Sequence, residues 1–136
     1  MSEDMSTLVE HGRVNRRIYT DPAIFEEEIN RIFGKVWLWL GHESQVKNIG
    51  DFFTTRMGRD RIIVTRHVDG ELYAIQNRCT HRGAEVCSKR AGNAEQFECP
   101  YHAWTFNTDG SLKTVPLRKG YGASFEDRVK DLALEP

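Results

Sequence analysis

The sequence lacks the features that would point to nucleic acid, a membrane or secretion. It carries 19 basic and 20 acidic side chains, and a net charge of −1 gives no reason to expect nucleic acid or a membrane surface as a partner. No apolar run approaches the length of a membrane span, and the first residues, Met1-Ser2-Glu3-Asp4, are acidic where a signal peptide would be basic. These absences predict a cytoplasmic protein without nucleic-acid or membrane partners.

Cysteine is scarce as well: the 136 residues contain only Cys79, Cys87 and Cys99. Two of the three belong to short segments that also contain a histidine. The first segment is Cys79-Thr80-His81-Arg82-Gly83, and the second is Cys99-Pro100-Tyr101-His102-Ala103-Trp104. One thiol and one imidazole in each of two loops can supply four ligands to a soft-metal site.

The order of the ligand types indicates which metal this site binds. Structural zinc sites usually have like ligands in each pair, as in C-x2–4-C and H-x3–5-H. In a Rieske-type [2Fe–2S] centre, two thiolates bind one iron and two imidazoles bind the other, so each loop must reach both metals. The Cys-x-His and Cys-x-x-His pairs therefore favour the iron–sulfur cluster, while a structural zinc module stays open as an alternative.

At these two segments the chain closely resembles the Rieske family. The resemblance implies that Cys79, His81, Cys99 and His102 bind a Rieske [2Fe–2S] cluster. It also implies a mainly β fold, an antiparallel Rieske-type β-sandwich with the cluster-binding loops at one tip, preceded by an N-terminal α-helix. Such a cluster transfers one electron at a time, at a potential between about −150 and +300 mV.

The third cysteine places the chain within that family. Rieske proteins of the respiratory and photosynthetic cytochrome complexes have two further cysteines that bridge the loops by a disulfide. Here Ala84 and Tyr101 stand at the corresponding places, which favours the ferredoxin and oxygenase branch. We therefore interpret Cys87 as a small buried hydrophobic residue, and a reduced thiol suits the cytoplasm.

A second resemblance lies upstream of the cluster segments. It is a resemblance to the segment before the Rieske domain in the large (alpha) subunit of bacterial aromatic-ring-hydroxylating dioxygenases. The residues that carry it are Arg17-Ile18-Tyr19-Thr20-Asp21-Pro22 through Trp37, with Gly41-His42-Glu43-Ser44. This implies electron transfer within such an oxidoreductase. A reductase or ferredoxin would donate the electron, which would pass to a neighbouring large subunit in a trimer. A stand-alone Rieske-type ferredoxin with an extra helix is the alternative.

Oxygen activation in that family requires a separate mononuclear Fe(II). Two histidines and one carboxylate would have to bind it with open positions. The remaining histidines, His11, His42 and His67, all precede the cluster segments and belong to unrelated stretches. We expect the Fe(II) only in a catalytic domain that this chain lacks, and no oxygenase activity from the chain alone.

The local patterns predict four regions along the chain. Residues 1–20 form a flexible N-terminal arm, 21–35 a helix leading into the domain, 36–116 the Rieske domain, and 117–136 the start of a connection to the catalytic domain. Asp21 as N-cap and Pro22 at the first helical position mark the helix start. Strands are predicted at 36–40 (buried), 51–55, 61–66, 72–75, 97–98, 104–106 and 112–115, with hairpin turns at Asp69-Gly70 and Asp109-Gly110 and an exposed connection at 84–96.

Several residues beside the ligands have more than one interpretation. Gly83 and Pro100 fit tight loop backbone. Arg82 and Trp104 either shield the cluster or are an ordinary surface charge and core aromatic. Ala103 stands where the family more often has glycine, which is expected to crowd the loop slightly.

Overall fold

The computed structural model describes residues 5–136. The chain divides into two compact units, of which the first ends at Leu38 and the second is Trp39–Pro136. Within residues 5–136, no helix is long and apolar enough to cross a membrane.

The first unit contains a small hairpin followed by helices. Its elements are a 3-10 turn (Met5–Leu8), β1 (Val9–Glu10), β2 (Arg13–Val14), α1 (Arg17–Thr20), α2 (Pro22–Glu28) and a π-helical turn (Ile29–Phe33). As predicted, α2 begins at Asp21-Pro22, where the Asp21 carboxylate accepts a hydrogen bond from the Ala23 N–H at 2.9 Å. Within the predicted flexible arm, residues 9–14 form the hairpin because β1 and β2 supply each other's backbone hydrogen bonds. Residues 1–4 of that arm lie outside the described residues.

The second unit is built on two antiparallel sheets. The four-stranded sheet has the order β5-β4-β3-β6, from β3 (Asp51–Met57), β4 (Asp60–Arg66), β5 (Leu72–Gln76) and β6 (Ala91–Asn93). The three-stranded sheet has the order β7-β8-β9, from β7 (Gln96–Glu98), β8 (Thr105–Asn107) and β9 (Leu112–Thr114). A 3-10 turn (Glu43–Gln45) precedes the first sheet; a 3-10 turn (Arg118–Tyr121), α3 (Ala123–Arg128) and another 3-10 turn (Val129–Leu132) follow the second. The predicted mainly antiparallel β fold is confirmed.

Apolar side chains from both sheets share one core. Ile63 and Phe106 are completely buried, and the Phe52 ring of β3 meets the Phe97 ring of β7 edge-on at 5.3 Å. The hairpin turn predicted at Asp69-Gly70 is present, with Gly70 at a φ of +87°. Because β5 leads directly from this hairpin toward Cys79, the first ligand segment starts from a well-paired strand.

The prediction of a buried strand at 36–40 is wrong. These residues are not in a strand, and Trp37 and Trp39 are 102% and 82% exposed. Alternating tryptophan and leucine have high β propensity, but a strand forms only where a neighbouring backbone completes its hydrogen bonds. None of the sheets in residues 5–136 supplies such a neighbour to this stretch.

The predicted exposed connection at 84–96 also needs correction. Its residues 91–93 form β6, which pairs with β3 and places Gly92 opposite Phe52. A Cβ at Gly92 would lie 3.2 Å from the Phe52 ring, so glycine permits the close approach of this edge strand. Cys87, in the same stretch, is 8% exposed and unpaired, as predicted.

The C-terminal segment packs on the sheets and on the first ligand segment. Phe125 and Leu134 belong to the buried core. The Gln76 N–H donates to the carbonyl oxygen of Glu135 at 2.7 Å, and the Thr80 hydroxyl donates to the carbonyl oxygen of Leu132 at 2.7 Å. Residues after 116, which the sequence places in a connection, thus cover the turn that contains Cys79 and His81.

Candidate metal centre

The two ligand segments have the same backbone arrangement. In the first, the Cys79 N–H donates to the carbonyl oxygen of Ala84 at 2.8 Å, and the Gly83 N–H donates to that of Cys79 at 2.7 Å. In the second, the Cys99 N–H donates to the carbonyl oxygen of Trp104 at 2.8 Å, and the Ala103 N–H donates to that of Cys99 at 2.9 Å. Each turn is thereby closed on its own cysteine, which fixes where both thiols lie.

The fifth residue of each turn has left-handed backbone. Gly83 has a φ of +73°, and Ala103 has a φ of +56°. Glycine adopts this conformation without steric cost, whereas a Cβ approaches the following carbonyl oxygen. The crowding expected at Ala103 from the sequence therefore has a definite origin in the backbone of the turn.

We expect Ala103→Gly to stabilise the protein by about 1 kcal/mol, because it removes the left-handed penalty at this turn. The measurement is the free energy of unfolding by denaturant for the two proteins under identical conditions. The matched control is Gly83→Ala, which should destabilise by a similar amount. A loss of stability in Ala103→Gly would show that the alanine side chain contributes packing that outweighs its backbone strain.

The structure brings the four predicted ligands together as two pairs. Cys79 and Cys99 are each 2% exposed, lie close enough for Cys99 to raise the pKa of the Cys79 thiol, and are not bonded as a disulfide. The imidazole centroids of His81 and His102 are 4.7 Å apart, with the rings at 72°. Sulfur therefore lies beside sulfur and imidazole beside imidazole, although each turn contributes one of each.

The electrostatics of these groups suits metal ligands. Burial raises the pKa of the Cys79 thiol, as does the adjacent Cys99, while backbone hydrogen bonds from His81 and Arg82 lower it. Burial, then His102, then the positive charge of Arg82 lower the pKa of His81. His81 thus favours the neutral form that binds metals, and two neighbouring buried thiolates require a cation to offset their charge.

A buried polar atom without a partner tests whether a cluster fits. His102 Nδ1 is buried and has no hydrogen-bond partner among residues 5–136. A buried polar atom without a partner lowers the free energy of unfolding by roughly 1–3 kcal/mol. A bond from this nitrogen to a metal would remove that cost. No three His, Cys, Asp or Glu side chains of the described chain form a single-ion site. Two neighbouring thiols and two neighbouring imidazoles instead fit the two-ligands-per-iron pattern of a Rieske cluster.

Comparison with known families agrees with this donor set. The model of the family described as the Rieske [2Fe–2S] domain matches residues 36–129. The chain belongs to the Rieske family. The cofactor of this Rieske domain is a [2Fe–2S] cluster.

The relatives of this Rieske domain are much longer oxygenase subunits. The chain is 45% identical to the biphenyl 2,3-dioxygenase subunit alpha of Rhodococcus jostii strain RHA1, over 85% of this chain and 26% of the relative. It is 47% identical to the chlorobenzene dioxygenase subunit alpha of Cupriavidus sp. strain PS12, over 78% and 24%. The chain thus spans about a quarter of their length, and it matches their N-terminal region.

Solved structures show the same fold. Naphthalene 1,2-dioxygenase from Rhodococcus sp. superposes with a TM-score of 0.81 at 36% identity, covering 97% of this chain and 30% of that one. A quaternary ammonium Rieske monooxygenase superposes with a TM-score of 0.79 at 34% identity, covering 89% and 32%. The Rieske domain at residues 36–129 therefore has the fold of these solved oxygenases.

The other histidines that the sequence sets aside have structural contacts. His42 Nδ1 accepts a hydrogen bond from the Ser44 N–H at 3.2 Å and caps the turn Glu43–Gln45. His67 Nδ1 lies 2.7 Å from the hydroxyl of Thr108. His11 is exposed.

Sequence reasoning missed the role of Asn77, two residues before Cys79. The Asn77 side chain is buried. Its oxygen accepts hydrogen bonds from the N–H groups of Val86 and Cys87 at 3.0 and 2.8 Å. Its Nδ2 donates to the Cys87 carbonyl oxygen at 2.6 Å. Asn77 thus ties the end of β5 to the chain that leaves the first ligand turn. No spacing rule could reveal this, because both partners lie in irregular backbone.

We expect Asn77→Ala to lower the free energy of unfolding by about 2–4 kcal/mol, because it leaves two buried N–H groups and one carbonyl without partners. Thermal and denaturant unfolding would measure the effect. Asn48→Ala is the control, since Asn48 also bonds to its own chain, through Asp51, but at an exposed site. Equal losses in the two variants would contradict a special role for the buried network.

Proposed function

We propose that this chain transfers one electron at a time through a Rieske [2Fe–2S] cluster bound by Cys79, His81, Cys99 and His102. In this proposal it is the N-terminal domain of the large subunit of an aromatic-ring-hydroxylating dioxygenase. The observation that carries the proposal is that two equivalent turns bring two buried cysteines close to each other and two imidazoles close to each other. Membership of the Rieske family supports the same ligand set.

The cysteines and the histidines would bind different irons of the cluster. Cys79 and Cys99 would hold one iron as thiolates, and His81 and His102 would hold the other as neutral imidazoles. When bound, the cluster accepts and releases one electron. Two neutral ligands in place of thiolates make reduction easier, so we expect a potential between about −150 and +300 mV.

The surroundings of the ligands favour a fixed site that transfers electrons. Both turns are closed by backbone hydrogen bonds, and both cysteines are almost fully buried. The burial of Cys79 and Cys99 excludes water from the sulfur end of the site. All four protein ligands would be used by the two irons, so the site offers no open position for dioxygen.

The partners that we propose follow from the relatives. A reductase or ferredoxin would donate the electron, and the mononuclear iron of a neighbouring large subunit would receive it. In support, the relatives are alpha subunits of dioxygenases, and the solved monooxygenase is described in terms of inter-subunit electron transfer. We further propose an aromatic hydrocarbon as the substrate class of the whole enzyme. Three unpaired cysteines agree with a cytoplasmic location.

The deciding experiment is metal and spectroscopic analysis of the protein expressed with ample iron. We expect equal iron and inorganic sulfide, two of each per chain, and an electron paramagnetic resonance (EPR) signal after one-electron reduction. Histidine labelled with ¹⁵N should contribute hyperfine couplings from two nitrogens bound to iron. A colourless protein with one zinc per chain would overturn the proposal.

A further inference from the structure

The ring of His81 lies flat against the indole of Trp104. Their centroids are 4.8 Å apart and their planes differ by 9°. By contrast, His102 meets His81 nearly edge-on, at 4.7 Å and 72°. The plane of the first imidazole is therefore parallel to one specific neighbour.

Two further aromatic rings pack against the indole of Trp104. It is 3% exposed, and the rings of Tyr121 and Phe125 each meet it edge-on at 6.1 Å. Tyr121 and Phe125 also contact each other at 4.7 Å, so the segment around α3 encloses the indole. A buried tryptophan enclosed in this way cannot turn without displacing its neighbours.

The stack also joins the two ligand turns. Trp104 closes the second turn through the hydrogen bond that its carbonyl oxygen accepts from the Cys99 N–H. Its side chain, however, lies against the histidine of the first turn. The position of His81 is thereby coupled to the backbone that places Cys99.

We propose that Trp104 is a positioning residue that sets the plane of the His81 imidazole at the cluster. The inference rests on the proposed function. An imidazole bound through one nitrogen can still rotate about the metal–nitrogen bond, and the groups that contact the ring decide its orientation. The flat, buried indole performs this role for His81.

The test compares Trp104→Leu with Trp104→Phe in the full chain, loaded with iron and labelled with ¹⁵N-histidine. Phenylalanine retains a flat ring against His81, whereas leucine retains only apolar bulk. Pulsed EPR of the reduced protein measures the coupling of each iron-bound nitrogen, and this coupling depends on ring orientation. We expect Trp104→Leu to shift and broaden one of the two couplings and leave the other unchanged, and Trp104→Phe to restore the wild-type spectrum.

The control is Phe52→Leu, which removes a buried aromatic ring from the same core but contacts neither imidazole. It should lose stability without a change in either coupling. Loss of iron in Trp104→Leu with retention in Trp104→Phe would also support the inference. Unchanged couplings in iron-loaded Trp104→Leu, the same shift in Phe52→Leu, or loss of iron in both Trp104 variants would overturn it. A wild-type protein with no nitrogen couplings would instead overturn the proposed function, and the inference with it.

Discussion

Cys99→Ser should lose its cluster. Its affinity for iron should fall by at least the factor of about 10–100 that removal of a group supporting a metal ligand costs. Serine remains a neutral alcohol where the site requires an anionic sulfur ligand, and the second thiol of the pair cannot hold an iron alone. Iron and sulfide analysis, with the visible spectrum of the purified protein, measures the loss. Cys79→Ser should give the same result, since the two thiols occupy equivalent turns.

Cys87→Ser is the matched control for these variants. Cys87 is also buried, but its sulfur makes a long hydrogen bond, 3.8 Å, to the carbonyl oxygen of Lys89 and belongs to neither ligand turn. The variant should retain full iron content at a modest cost in stability. A Cys87→Ser protein without iron, or a Cys99→Ser protein with full iron, would show that the thiols are wrongly assigned.

His102→Cys should lower the reduction potential by roughly 100 mV or more where the cluster survives. The new thiolate adds a negative charge at the iron that otherwise has two neutral ligands, and plant-type clusters with four cysteines have potentials of about −400 mV. A redox titration followed by EPR measures the midpoint potential. His81→Cys should shift it in the same direction.

His67→Cys serves as the control for the potential. His67 is partly buried and contacts Thr108 in the same unit, but it belongs to neither ligand turn. Its replacement should leave the potential unchanged. If His81→Cys and His102→Cys kept the wild-type potential at full iron content, the two imidazoles could not both be ligands.

Local signals in the sequence were reliable where the structure depends on neighbours in the chain. The helix start at Asp21-Pro22 depends only on adjacent residues. The Asp21 carboxylate caps the helix, and Pro22 stands at the first helical position, where no backbone N–H is needed. The turn at Asp69-Gly70 requires a left-handed glycine, which is what Gly70 provides. The residue patterns that flank this turn predict two strands, and these pair with each other as β4 and β5.

Signals failed where the partner lies far along the chain. The apolar stretch 36–40 has the composition of a strand but no neighbouring strand among the described residues, so it forms no strand and its two tryptophans are exposed. Conversely, the predicted exposed connection at 84–96 contains β6, an edge strand in which Gly92 makes room for Phe52. Pairing over long distances depends on which backbones the core brings together.

The sequence by itself determined the chemistry of the donors, because two thiols and two imidazoles in two short segments suit few cofactors other than a Rieske cluster. It also determined the antiparallel β class, through short strands between glycine-containing turns. Only the tertiary structure decided that Asn77 anchors the first turn and that Trp104 stacks on His81. These arrangements arise from close packing between segments distant in sequence, and no local pattern specifies which surfaces will meet.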